Sequence, residues 1–211
     1  MKKSIKNYKG FTLIESLVSI VILGGFTYMI MATFNIIQIK NIQENSRTEI
    51  QNYSTRSLDT IAEYVMNSIS GVTVTGVNAD FPTYRLQVIS KDFDGNPILV
   101  NDEYVIETIE LRCSQNTGIL INGKYPNQNF FNEDPNALTS YKIKEFKIEK
   151  ITLPNNIALP PSIINDMNEA SYNITLEVDI IYNQNEELIR TLTFNRTVFT
   201  PNTFIAGAPD V

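Results

Sequence analysis

Hydropathy divides the chain into three stretches. From Phe11 to Ile39, 29 residues run with a single charge, Glu15. About 20 apolar residues suffice for a helix to cross a hydrocarbon core of about 30 Å. This stretch is apolar on every side, which suits a helix buried among other helices or in lipid. Beyond Lys40 the pattern turns amphipathic. Ile50, Tyr53, Leu58, Ile61, Val65 and Ile69 recur at helical spacing, while Glu44, Arg47, Glu49, Arg56, Asp59 and Glu63 take other positions. No proline precedes Pro82. The pattern therefore predicts one helix from about Phe11 to Ser70, roughly 90 Å long at 1.5 Å per residue, ended by Ser70-Gly71. Gly24-Gly25 interrupts the apolar half. It reads equally as a local loosening or as close packing of small residues against a neighbouring helix.

The remainder alternates as strands do. Tyr84–Ile89 is a short strand, and Asp94-Gly95 offers a tight turn before Pro97–Val100. Tyr104–Cys113 places Ile109, Leu111 and Cys113 on one face, and Gly118–Ile121 can pair with it across Ser114–Thr117. Residues 123–138 read as loop. Phe146, Ile148 and Ile151–Leu153 mark another strand, ended by Pro154. The clearest hairpin is the last. Tyr172, Ile174, Leu176, Val178, Ile180 and Tyr182 alternate with polar residues, and the chain returns over Leu188–Phe199 with Leu192, Phe194 and Val198 on one face. Asn202–Val211 reads as a mobile tail. The fold class is α+β, a long helix whose second half lies on an antiparallel sheet.

Glu15 is out of place in so apolar a helix. An acidic side chain at a bilayer centre costs roughly 2.5–3.5 kcal/mol even on insertion scales, and buried charges persist when something holds them. Lys2, Lys3, Lys6 and Lys9 form a basic flank. A secretory signal peptide shares that flank, but wants a 7–15-residue apolar core and a small-residue cleavage site. The run here is 29 residues, and its one small pair, Gly24-Gly25, lies mid-run. A plain anchor accounts for length and lysines, yet leaves Glu15 and the Gly10-Phe11 junction without a reason.

The residues Gly10-Phe11-Thr12-Leu13-Ile14-Glu15 closely resemble the processing and assembly motif of type IV prepilins and of the related pseudopilins of secretion and DNA uptake. The resemblance covers about the first 30 residues. It implies a membrane peptidase that cuts after Gly10 and N-methylates Phe11. It further implies that Glu15 pairs with the Phe11 amine of an adjacent subunit. The parts are then a leader (1–10), a transmembrane and assembly helix (11–39), and the amphipathic half-helix with its head (40–211). The implied partners are other pilin subunits, the prepilin peptidase, an inner-membrane assembly platform and, before assembly, the membrane. The resemblance also implies a head outside the cell membrane and an extracellular filament as the assembled product. The chain departs from many major pilins in having Ala32 or a near neighbour where they carry a mid-arm proline.

Charge and chemistry narrow the head's role. Of 17 basic side chains the leader holds four and no acid, leaving 13 against 23 acidic ones, a net charge of −10. Such a protein is not expected to grip nucleic acid through its phosphates. Cys113 is the sole cysteine, so the C-terminal disulfide of many pilins is absent. It reads as a small buried hydrophobe. With no histidine there is no Ser-His or Cys-His pair and no His-bearing metal site. Lys91–Asn96 looks faintly like a calcium loop, but its glycine falls too early for an EF-hand and no bidentate Glu follows at the required offset. It reads as a turn, and Asn132-Glu133-Asp134 as a solvated face. No catalytic residue, cofactor or metal is expected.

The expected function is a pilin that assembles through its N-terminal helix, not an enzyme. Ser16, the missing proline and the large head lean towards a minor, priming or tip-associated subunit. A secretion or DNA-uptake pseudopilin and a pilin-anchored adhesin are the alternatives. Processing is testable at once. Gly10→Val should block cleavage, because a side chain obstructs the backbone bend that the peptidase must accommodate. Wild-type protein should begin at a methylated Phe11 by mass spectrometry; an intact Met1, or a cut near Gly25, contradicts this.

Overall fold

The computed structural model describes residues 12–76, 81–125, 131, 137–152, 160–183 and 187–201. Gly10, Phe11, Leu153, Pro154, Asn132-Glu133-Asp134, most of the 123–138 loop and the Asn202–Val211 tail lie outside them. The chain forms two compact units, Met1–Asn45 and Ser46–Val211. Helix α1 (Leu13–Met66) contributes to both.

In the first unit α1 is unbroken through Gly24-Gly25, and a Cβ at either glycine would meet nothing within 4 Å. The chain's own packing does not require them. None of the apolar stretch is buried. Three of its hydroxyls turn to the helix backbone instead: Ser19, Thr27 and Thr33 donate to the carbonyls of Glu15, Leu23 and Met29 at 2.7, 2.8 and 2.8 Å. Those side chains are satisfied within the helix, as dry or lipid surroundings demand.

In the second unit the rest of α1 buries Ile50, Tyr53, Leu58, Ile61, Ala62 and Val65, together with Ser46, Ser54 and Ser57. The helix ends at Met66, earlier than the expected Ser70. Asn67 returns both its backbone N–H (3.1 Å) and its side-chain amide (2.8 Å) to the Glu63 carbonyl. Ile69 is therefore not part of the helical stripe. It lies in β1 (Ser68–Thr75), where Ser70-Gly71 forms a bulge as the pairing steps from Ser68↔Val88 to Val72↔Leu86. Pairing of the β-branched Val72, Thr73 and Val74 with β2 wins over local helix preference.

β1 opens a four-stranded antiparallel sheet, completed in the order β1-β2-β5-β6 by β2 (Thr83–Ile89), β5 (Ile106–Ser114) and β6 (Gly118–Ile121). Between β2 and β5, β3 (Leu99–Val100) and β4 (Glu103–Tyr104) form a small hairpin. Its turn residues Asn101 and Asp102 have φ of 54° and 65°, values suited to a tight two-residue connection. The alternation pattern does not reveal this second turn, since neither residue is glycine. A three-stranded sheet follows, β7 (Thr139–Lys150), β8 (Ser171–Tyr182) and β9 (Glu187–Phe199). β7 ends at Lys150, so Ile151 lies past the strand, although its N–H still reaches the Ser171 carbonyl at 2.9 Å. Helix α2 (Pro161–Ala170) had no forecast. It starts on a proline at its first turn.

One apolar core joins these layers. Tyr172, Ile174, Leu176, Val178 and Ile180 all point inward, as do Ile109, Leu111 and Cys113. The Ile143 N–H donates to Gln115 O (2.9 Å) and the Val72 N–H to the Tyr172 hydroxyl (3.2 Å), linking the sheets. Tyr53 fixes α1 to β6. Its hydroxyl accepts the Ile119 N–H at 3.0 Å, and its ring meets Phe131 edge-on at 5.1 Å. Gly118 lies beside them at φ +80°, where a Cβ would stand 2.7 Å from Phe131 Cδ2 and 2.8 Å from the Tyr53 hydroxyl. Gly123 has a similar φ, +74°, but open space around it.

This contrast separates backbone strain from crowding. Gly123→Ala should cost about 1 kcal/mol for the left-handed backbone alone, and Gly118→Ala about 2–4 kcal/mol because crowding adds to it. Denaturant unfolding in detergent, followed by tyrosine emission since the chain has no Trp, measures both. Equal losses contradict the packing described.

Candidate processing and assembly site

The first turn of α1 is capped by its own sequence. Thr12 precedes the helix, and its N–H and hydroxyl donate to Glu15 Oε2 at 2.9 and 3.0 Å. In return the Glu15 N–H reaches Thr12 Oγ1 at 3.3 Å, and the Ser16 N–H donates to Thr12 O at 3.1 Å. This is the reciprocal Thr-x-x-Glu capping box. Sequence reasoning singled out Glu15 but missed Thr12, although the signal was present: a threonine three residues before a glutamate at the mouth of an apolar run.

Magnitudes show what the box does. A cap contributes about 1 kcal/mol, and a carboxylate near the positive end of the helix dipole about 0.3–1 kcal/mol. Together they offset much of the roughly 2.5–3.5 kcal/mol that the charge costs at a bilayer centre. Glu15 is thus tolerable in a lone, membrane-inserted chain. Both Thr12 bonds fall on Oε2. Among the described residues the other carboxylate oxygen takes no hydrogen bond, so it can accept from a further donor. Gly10 and Phe11, the other residues singled out, lie outside the described residues.

The head's candidate groups are engaged locally. Asp92 Oδ1 accepts the Asn96 and Asp94 N–H groups at 2.8 and 3.0 Å, and the Gly95 N–H closes on Asp92 O at 3.1 Å. The bonds from Asn96, chiefly its N–H, and from Asp94 hold the Asp92 carboxyl below the usual carboxylate range. The carboxylate closes its own turn. Among the described residues no three or more His, Cys, Asp or Glu side chains gather as a metal site. Cys113 is buried in the core, and that burial pushes its thiol well above the ordinary range.

Residues 5–24 match the family model of the prokaryotic N-terminal methylation motif. No curated protein and no solved structure matches the chain. The chain therefore carries an N-terminal motif typical of type IV prepilin-like proteins, on a helix long and apolar enough to cross a membrane.

Cys113 supplies a check on the head's packing. A raised thiol pKa lowers the thiolate fraction, and the thiolate is the reactive form. At pH 8 the native protein should react with Ellman's reagent over hours, and the unfolded protein should release one equivalent within minutes. Fast reaction of native protein contradicts the burial.

Proposed function

We propose that the chain is a subunit of a type IV pilus, made with a leader at residues 1–10, cut after Gly10 and N-methylated on Phe11 by a prepilin peptidase. The arm (11–39) holds it in the cell membrane with the head outside. An inner-membrane assembly platform then passes it into a surface filament, where its arm packs against the arms of other pilin subunits. The observation that carries this reading is an uncovered apolar helix that begins in a methylation motif. The finer assignment, a minor, priming or tip-associated subunit, rests on Ser16, Ala32 and the large head.

In this reading Glu15 changes partners. Its own first turn steadies it in the membrane, and in the filament its free oxygen receives the Phe11 amine of a neighbour. Opposite unit charges about 4 Å apart attract by roughly 4 kcal/mol at an effective dielectric of 20, before desolvation is subtracted. Burial of such a pair favours one docking register more than it favours net stability.

The test compares wild type, Glu15→Val and Thr12→Val in membrane and sheared-filament fractions at matched expression. Glu15→Val should insert normally but be depleted from filaments about tenfold or more. Thr12→Val loses the hydroxyl half of the cap, keeps the carboxylate and should enter filaments within about twofold of wild type. Equal incorporation of Glu15→Val contradicts pairing between subunits, and matched depletion of both variants assigns the effect to the cap alone.

A further inference from the structure

The start of α1 and the proposed cleavage point stand close together in the chain. The helix begins at Leu13, Thr12 lies outside it, and Phe11 alone separates Thr12 from the Gly10–Phe11 bond. An α-helix pairs each N–H with the carbonyl four residues back. One more upstream turn would therefore give the N–H groups of Thr12, Leu13, Ile14 and Glu15 to the carbonyls of Tyr8, Lys9, Gly10 and Phe11. The Gly10 carbonyl belongs to the bond to be cut. Extending the helix by one turn would commit that carbonyl to Ile14.

Such an extension has reasons to occur. Phe11 continues the apolar run, and in dry surroundings backbone groups find partners most readily inside a helix. No proline lies upstream of the run, and of Tyr8, Lys9, Gly10 and Phe11 only the glycine is a poor helix former. What opposes it is the capping box. The Thr12 N–H is held by Glu15 Oε2 at 2.9 Å, and the Glu15 N–H by Thr12 Oγ1 at 3.3 Å. Two of the four donors that an upstream turn needs are thus engaged by side chains. The Ser16 N–H keeps the Thr12 carbonyl at 3.1 Å, as the first bond of the helix.

We propose that the Thr12–Glu15 box positions the chain for processing: it ends α1 at Thr12 and so leaves the Gly10 carbonyl open to the peptidase. The inference rests on the processing reading above and adds Thr12 to it as a positioning residue, acting through the backbone. The step itself is hydrolysis. Water adds across the Gly10–Phe11 bond, its oxygen to the Gly10 carbonyl carbon and its protons to the products, a Gly10 carboxylate and a Phe11 ammonium. A peptidase acts on the fraction of chains in which that carbonyl is free when opening and closing are fast.

The test uses membrane vesicles holding the full-length chain and a prepilin peptidase, with the initial rate of cleavage after Gly10 read by mass spectrometry. Ser and Asn cap at least as well as Thr, whereas Val has the shape of Thr and caps poorly. Thr12→Ser and Thr12→Asn should be cut within about twofold of the wild-type rate, and Thr12→Val about fivefold more slowly, the factor that one cap ordinarily supplies. Cleavage of Thr12→Val still reaches completion, so its steady-state filament content stays near wild type. Thr12→Val cut at the wild-type rate overturns the proposal. Thr12→Ser and Thr12→Asn as slow as Thr12→Val also overturn it, since the peptidase then reads the threonine itself. Wild type left uncut after Gly10 counts against the processing reading and takes this inference with it. Wild type cut normally, with no difference among the variants, counts against this inference alone.

Discussion

An apolar helix that no described residue of its own chain covers is the constraint on which everything else depends. From Leu13 to Ile39 its large side chains stand exposed, while the Ser46–Met66 half of the same helix buries a full stripe. Burial of apolar surface is worth about 25 cal/mol per Å², so the first half cannot remain in water. Lipid and other arms are the two environments that cover a helix apolar on all sides. The back-bonded hydroxyls of Ser19, Thr27 and Thr33 suit both equally. Passage from one environment to the other is therefore possible without a large change in solvation.

In the proposed assembly Glu15 would set a direction on that passage. A wholly apolar arm would have no preferred axial register among its neighbours, whereas a charge with one oxygen committed to Thr12 and one open accepts a donor from a single direction. The same carboxylate serves the lone subunit as a helix cap. On the proposed reading, this double use would reconcile a charge in a membrane-length segment with a chain that first resides in the membrane.

The sequence was most legible where a period ran unbroken. The Tyr172–Ile180 alternation and the Ile50–Val65 stripe both survive in the core because each has one buried face that a slip would expose. Legibility failed at ends and short elements. The end of α1 depended on a local cap by Asn67 that leaves no periodic trace, and on pairing of Val72–Val74 with β2, which acts across the fold. The Asn101-Asp102 turn and helix α2 are too short to show a period. At the assembly site Glu15 was conspicuous because charge is rare there. Thr12 was overlooked because a hydroxyl in an apolar run looks ordinary until its partner three residues on is considered.

The central claim is that the arm exchanges lipid for other arms. A photo-crosslinking amino acid at Leu17, midway along the exposed stretch's first turns, reads this directly. In sheared filaments it should capture the arm of another pilin subunit, identified by mass spectrometry, and in the membrane fraction chiefly lipid. Lipid adducts alone in both fractions, or capture by the chain's own head, would contradict the account.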